Sequence, residues 1–238
     1  MASTLTVGRF DLTLEAKEPI ILPPYKGSTL RGGFGNAFRR VVCVIKGTDC
    51  RECLLKGRGK FELKEVQSRE NGKDPSIIYS SRTKQLKPFK PEKISIENDM
   101  REPGPEIKTL TIEFLTPTRL YYNERLVFDL EFHILVRQLL RRISLLSYFH
   151  CGIDPSGWDF KGLINKALEV KVRDRNLRWY NWERYSARQE TKINMGGFVG
   201  NITFSGNLTP FRLYLLLGEY VHVGKGSSFG LGKYEIIS

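Results

Sequence analysis

The run Tyr220-Val-His-Val-Gly-Lys-Gly-Ser-Ser-Phe-Gly-Leu-Gly-Lys-Tyr234 combines the backbone freedom and the side chains that anion binding needs. Gly224, Gly226, Gly230 and Gly232 carry no Cβ, so the chain can take positive φ and turn consecutive N–H groups into a concave nest for an anion. Lys225 and Lys233 add charge, and Ser227 and Ser228 add hydroxyl donors for phosphate oxygens. The run does not follow the G-x-x-x-x-G-K-[ST] pattern and comes after a helix rather than before one, which argues against a nucleoside triphosphate. The alternative is a glycine-rich turn leading into a last strand. His222 stands at the loop's entrance, where the preceding helix ends. A helix C-terminus favours imidazolium and an upward pKa, which would suit a general acid beside a bound phosphate; a capping or packed histidine is the alternative. His150, ahead of Cys151-Gly152, has the same two readings, and His133 shares a helix face with arginines.

Two further groupings have chemical potential. Cys43-x6-Cys50-x2-Cys53 provides three thiols without a local fourth ligand, and Cys151 is distant, so the expectation is no metal. Between Val170 and Arg188, Arg173, Arg175, Arg178, Arg184 and Arg188 alternate with Trp179, Tyr180, Trp182 and Tyr185. That tract suits single-stranded RNA, whose bases stack on rings while arginines hold phosphates. It equally suits amphipathic packing with a solvated basic side.

The elements that must position these residues are legible in part. Leu5 to Leu14 alternate as a first strand, and a helix capped by Ser28 places Leu30, Phe34, Ala37, Phe38 and Val41 on one side, with Arg31, Arg39 and Arg40 on the more exposed one. Residues 56–108 are charged and irregular, with short strands around Ile77-Ile78-Tyr79 and Ile94–Ile96. A second unit opens with the strand Leu110–Leu115. The helix Phe128–Phe149 follows, burying Phe132, Leu135, Leu139, Ile143 and Leu146 and turning His133, Arg137 and Arg141 to another face. After the strand Asn201–Phe204, Thr209 is read as the cap of a helix with Pro210 at its first position, running to about Val221. Tyr234–Ile237 closes the chain as a strand. The second half therefore reads β-α-β-β-α-β, the ferredoxin-like order, and the first half begins the same way. The expected architecture is α+β: two tandem ferredoxin-like (RRM-like) domains, 1–107 with a charged irregular insert and 108–238 with the glycine-rich loop.

The chain has 238 residues and 40% hydrophobic content, enough for a core. It holds 38 lysines and arginines against 26 acidic residues, a formal net charge of +12. A polyanionic partner follows, because each neutralised phosphate releases condensed counterions. No apolar stretch nears the roughly 20 residues that a bilayer requires, no signal-peptide core opens the chain, and its few cysteines are not a disulfide framework. The expectation is a cytoplasmic protein with no membrane partner.

Several segments resemble the RAMP superfamily of CRISPR systems, and more narrowly its endoribonucleases that process precursor CRISPR RNA. They are Tyr25-Lys-Gly-Ser-Thr-Leu-Arg-Gly-Gly-Phe-Gly35, Leu115-Thr-Pro-Thr-Arg119, the helix end Arg141-Arg-Ile-Ser-Leu-Leu-Ser-Tyr-Phe-His150, Gly196-Gly-Phe-Val-Gly200 and Gly218-Glu-Tyr-Val-His-Val-Gly-Lys-Gly-Ser-Ser-Phe-Gly-Leu-Gly232. The resemblance implies a prokaryotic protein that carries CRISPR repeat RNA in or across a cleft between two ferredoxin-like domains. It implies cofactor-free, metal-independent cleavage, the 2′-hydroxyl attacking the adjacent phosphate to leave a 2′,3′-cyclic phosphate and a 5′-hydroxyl. It implies a monomer or homodimer that delivers RNA to an effector complex. The family's cysteine cluster is similar, but its usual further cysteine falls near Arg58-Gly59 here. A histidine in or near the first helix often serves such enzymes; none precedes His133. Lys26, Tyr25 and Arg31 are then the first-half catalytic candidates, with His222 opposite them. Candidate RNA contacts are the loop residues named above together with Arg39, Arg137 and Arg141. A non-catalytic RAMP subunit that binds guide RNA is the alternative, and Gly27–Gly32 would also suit it.

Overall fold

The computed structural model describes residues 105–186 and 191–237 continuously, and, toward the N-terminus, segments 4–7, 10–16, 61–68, 76–80, 85–86 and 92–95 with residues 19, 21, 26, 27, 29–31 and 82. Tyr25, Arg39, Cys43, Cys50, Cys53 and Arg188 lie outside the described residues. The chain divides into two compact units, residues 6–94 and residues 95–238 with 1–5. Its strands are β1 (Thr4–Val7), β2 (Phe10–Ala16), β3 (Phe61–Ser68), β4 (Ser76–Ser80), β5 (Gln85–Leu86), β6 (Glu92–Ser95), β7 (Thr109–Thr118), β8 (Tyr121–Tyr122), β9 (Arg125–Leu126), β10 (Lys171–Tyr180), β11 (Glu183–Ser186), β12 (Thr191–Asn194), β13 (Gly197–Ser205) and β14 (Tyr234–Ile236).

In the N-terminal unit, β2, β3, β4 and β5 form an antiparallel sheet in that order. The strand readings near Ile77–Tyr79 and Ile94 coincide with β4 and β6. β3 falls in the stretch expected to be irregular, because the adjacent Lys64 and Glu65 interrupt the apolar alternation of Phe61, Leu63 and Val66. What makes it a strand is pairing on both sides, to β2 and to β4.

The C-terminal unit is built on one antiparallel sheet in the order β10-β13-β7-β14. Helix α1 (Phe132–Cys151) lies between β7 and β10 in sequence, followed by the short α2 (Phe160–Glu169), and α3 (Arg212–Val221) lies between β13 and β14. Alternation along β7 sends Leu110, Ile112 and Phe114 into the core, which also holds Phe198, Ile202 and Phe204 of β13 and Phe132, Leu135, Leu139 and Ile143 of α1. Phe132 stands edge-on to both Phe204 and Phe211, at 4.9 and 5.0 Å between centroids. Buried Tyr234 donates its hydroxyl hydrogen bond to the Leu215 carbonyl, joining β14 to α3.

Three local readings change. α1 begins at Phe132 rather than Phe128, and it ends on Gly152, whose φ of 66° and N–H to the Ser147 carbonyl form a left-handed cap. Thr209 does not cap α3: it opens a 3₁₀ turn with Pro210, and its hydroxyl accepts from the Ile107 N–H. His133 is buried rather than exposed: Tyr122, which also lies under the Arg137 guanidinium, stands edge-on to its ring, and Glu131 is 3.2 Å away.

Candidate nucleic-acid interface

The glycine-rich loop is a folded object. Gly224, Gly226, Gly230 and Gly232 all have positive φ, between 72° and 85°. At Gly232 an added Cβ would sit 1.8 Å from the Val223 carbonyl oxygen, and at Gly224 it would sit 2.5 Å from that of Arg119. The glycines thus allow the loop to close on itself and on the chain that follows β7. Val223 donates to the Gly232 carbonyl at 2.9 Å, and Lys225 to the Arg119 carbonyl at 3.0 Å. Thr116 binds both rims: its hydroxyl donates to the Gly230 carbonyl and accepts from the Lys233 N–H. Ser227–Phe229 form a 3₁₀ turn closed by Phe229 to Gly226 and Gly230 to Ser227. Among the described residues, the Ser227 and Ser228 N–H groups that open this turn donate to no protein acceptor.

Beside the loop runs a groove of about 500 Å³ lined by Arg119, Tyr121, Gln138, Arg141, Arg142, Leu145, Leu146, Gly224 and Lys225. Four cations from three places in the sequence meet there: the β7–β8 turn, α1 and the loop. A smaller concavity continues past Arg119 and Lys225 to Asn194, Met195 and Leu231. Arg119 is held between the two, donating Nη1 to the Asn194 carbonyl at 2.6 Å and Nε to the Tyr121 hydroxyl at 3.2 Å. Half-buried Arg142 donates Nε to the Val221 carbonyl, next to His222. A guanidinium fixed in this way presents its remaining N–H groups with less freedom to lose on binding a phosphate.

His222 is the residue after α3, with φ 60° and ψ 171°, a conformation that L residues rarely adopt. Its Nδ1 lies 3.2 Å from the Leu231 carbonyl. A carbonyl only accepts, so Nδ1 carries the proton and the lone pair is on Nε2. Burial, opposed by the Leu231 hydrogen bond and reinforced by Arg142 and Lys233, holds the imidazole pKa below its ordinary value. The direction is opposite to the upward one expected at a helix C-terminus: burial disfavours the charged form, and two nearby cations disfavour a third charge. His133 is shifted down as well, first by burial.

A stability prediction follows from these two histidines. Because the folded pKa is depressed, the unfolded chain takes up the proton first. The contribution is present above the unfolded value of about 6.5 and is lost as pH falls through the folded value. The urea midpoint is expected to decrease between pH 7.5 and 5, and His133→Phe is expected to flatten that dependence.

The other expected site residues are distributed as follows. Arg141, Gly224 and Lys225 line the groove. Arg137 is not among its lining residues; its guanidinium stands over the Tyr122 ring at 5.6 Å. Lys233 pairs with Glu235 at 3.2 Å. Lys26 and Arg31 are exposed in the N-terminal unit, at the helical backbone of residues 27 and 29–31, where Leu30 N–H donates to the Lys26 carbonyl. Of the aromatic tract, Trp182 is buried and Trp179 meets Phe128 at 4.9 Å, while Arg175 is taken up by Asp129 and the Leu130 carbonyl. Trp182 is thus taken up in packing, whereas Arg175 stays exposed with its exposed partner Asp129. Arg119 and Arg142 carry no spacing signal in the sequence beyond the Arg141-Arg142 doublet and the position of Arg119 just after a strand.

The sheet face opposite α1 is unsuited to RNA over its central strands. Register places Thr111 and Glu113 of β7 beside Thr203 and Asn201 of β13, and Glu113 beside Glu235 of β14. That surface is acidic and carries no aromatic ring, unlike the stacking platform of an RRM sheet.

The sequence profile of the CRISPR-associated endoribonuclease Cas6 family matches residues 112–234, and a second profile, for an N-terminal domain, matches residues 5–57. No curated protein matches the chain by sequence. Among solved structures, the chain is similar to a Cas6 product complex at 15% identity and TM-score 0.61, covering 98% of this chain and 100% of that one. It is similar to Thermus thermophilus Cas6 at 17% identity and TM-score 0.60, with 100% of each chain covered. It also matches the chain of a partial Cas6-RT-Cas1 and Cas2 complex at 12% identity and TM-score 0.54, covering 98% of this chain and 47% of that one. These likenesses show a shared fold of helices with antiparallel sheet. Among the described residues, no helix is long and apolar enough to cross a membrane.

Proposed function

The chain belongs to the CRISPR-associated endoribonuclease Cas6 family, and from that premise we propose that it binds CRISPR repeat RNA in the basic groove beside its glycine-rich loop and cleaves precursor crRNA without a metal. The observation that carries this is the convergence of Arg119, Arg141, Arg142 and Lys225 on one groove bordered by that loop. Uniform positive charge in a concave site attracts a phosphate backbone and loses affinity in salt through counterion binding. Free N–H groups at Ser227 and Ser228 add backbone donors for a phosphate oxygen. The strand order β10-β13-β7-β14, with α1 and α3 as its connections, supports the ferredoxin-like reading of the C-terminal unit.

In the proposed reaction the 2′-oxygen attacks the adjacent phosphorus, its proton passes to a base, and the P–O5′ bond breaks as the 5′-oxygen takes a proton. His222 fits the base rather than the acid: its Nδ1–H is directed at Leu231, and a depressed pKa keeps Nε2 free at neutral pH. Lys26, Tyr25 and Arg31 are assigned the cationic support of the phosphorane and the proton for the leaving oxygen. Such a reaction requires no cofactor.

The test is incubation with end-labelled RNA containing one repeat of the host's CRISPR array. One discrete cut per repeat supports the proposal, whereas retained but intact RNA supports the non-catalytic alternative, which the family match does not favour. The groove has its own check. Lys225 is exposed, so Lys225→Ala is expected to leave the unfolding midpoint unchanged, weaken RNA binding, and reduce the slope of log affinity against log salt by about 1.

A further inference from the structure

The groove does not end at its cations. Along α1, at about 100° per residue, Gln138, Arg141, Arg142, Leu145, Tyr148 and Phe149 fall within about 120° of arc. One helix face therefore passes from the polar and cationic residues of the groove to an apolar stretch. Leu145 lines the groove and is 47% exposed, Tyr148 is 56% exposed and Phe149 is 70% exposed. The two rings stand edge to face, 5.1 Å between centroids. Neighbouring aromatics this exposed gain nothing from the fold's own core and hold apolar area in water.

We propose that Tyr148 and Phe149 form a base-stacking platform for unpaired nucleotides of the RNA whose backbone the groove holds. This rests on the RNA-binding reading of the groove. What favours RNA as the occupant is continuity: the apolar stretch borders the cationic groove on the same helix face. A protein partner would have to take the rings together with an unneutralised cluster of arginines. A single strand supplies both needs at once, phosphates for Arg141 and Arg142 and faces of bases for the rings. The distance also fits. From Gln138 to Phe149 the helix rises about 16 Å, the length of about five nucleotides stacked at about 3.4 Å. The groove and the platform together thus span about five nucleotides, whose bases must be unpaired to offer their faces to the rings, and the platform reads no sequence, because every base has a π-face.

The experiment measures binding of a fluorescein-labelled 12-nucleotide oligoadenylate, intact and with abasic sites, to the full chain and to Tyr148→Ala/Phe149→Ala. The expected result is at least about tenfold weaker binding of the intact strand by the double variant, with an unchanged salt slope because no phosphate contact is removed. Abasic RNA is expected to weaken binding to the unaltered chain and to cost the double variant little more. Tyr148→Phe/Phe149→Trp, which keeps both rings, is expected to bind normally. Equal binding of the intact strand by the unaltered and alanine chains overturns the platform alone. So does a change of oligomeric state in the double variant with RNA affinity intact, which would assign the rings to a protein interface. Failure of the unaltered chain to bind either this strand or the host repeat overturns the groove reading first, and the platform with it.

Discussion

His222→Ala is expected to slow cleavage of repeat RNA by at least about a hundredfold while leaving RNA affinity within a fewfold of normal. General acid–base groups contribute about 10²–10⁴ in rate, and the tautomer fixed by the Leu231 carbonyl leaves one nitrogen to do the work. The pH profile gives a second measure. A base whose pKa is depressed keeps its lone pair at neutral pH, so the acid limb of kcat/KM is expected below the ordinary histidine value of about 6.5. His222→Gly separates chemistry from folding. Glycine accepts the positive φ that the histidine is made to adopt, which offsets the lost Leu231 hydrogen bond and packing, so the urea midpoint is expected to change little while cleavage is lost in the same way. If His222→Gly cuts RNA normally, the histidine is a cap and nothing more.

Gly232→Ala is expected to damage both folding and binding. The position combines a φ of 72° with a Cβ site 1.8 Å from a backbone oxygen of Val223, which cannot rotate away as a side chain would. Left-handed backbone costs an L residue about 1–2 kcal/mol and overpacking about 1–3, so a loss of about 2–5 kcal/mol is expected in urea unfolding. The Val223–Gly232 pairing at the loop's base is opened by the same change, and RNA affinity is expected to fall with it. Lys225→Ala provides the contrast, losing affinity without stability. An unchanged midpoint for Gly232→Ala would mean that the loop does not close as described.

The sequence made the C-terminal unit legible where one periodicity ran uninterrupted. β7 alternates cleanly, α1 keeps its 3.6-residue stripe through Phe132, Leu135, Leu139 and Ile143, and α3 ends where expected. It was less legible where long-range pairing decides. β3 is a strand because β2 and β4 flank it, and its own residues alternate poorly. Spacing put His133 on the face of Arg137, but it gave no sign of Tyr122, which contacts both side chains and covers the imidazole. The glycines of the loop announced an anion nest, but at Gly224 and Gly232 they serve the loop's closure on Arg119 and Val223. Among the described residues, the loop leaves the N–H groups of Ser227 and Ser228 without a protein acceptor. Arg119 and Arg142 join the site through folding alone: one is placed by Asn194 and Tyr121, the other by Val221. No spacing rule links residues 119, 142 and 225.

The most direct test of the account is cleavage of end-labelled host repeat RNA in excess EDTA, with the product ends identified chemically. The account predicts one discrete cut per repeat that EDTA does not suppress, an upstream fragment ending in a 2′,3′-cyclic phosphate and a downstream fragment beginning with a 5′-hydroxyl. RNA that is bound but never cut, cleavage abolished by EDTA, or a 5′-phosphate on the downstream fragment would contradict it.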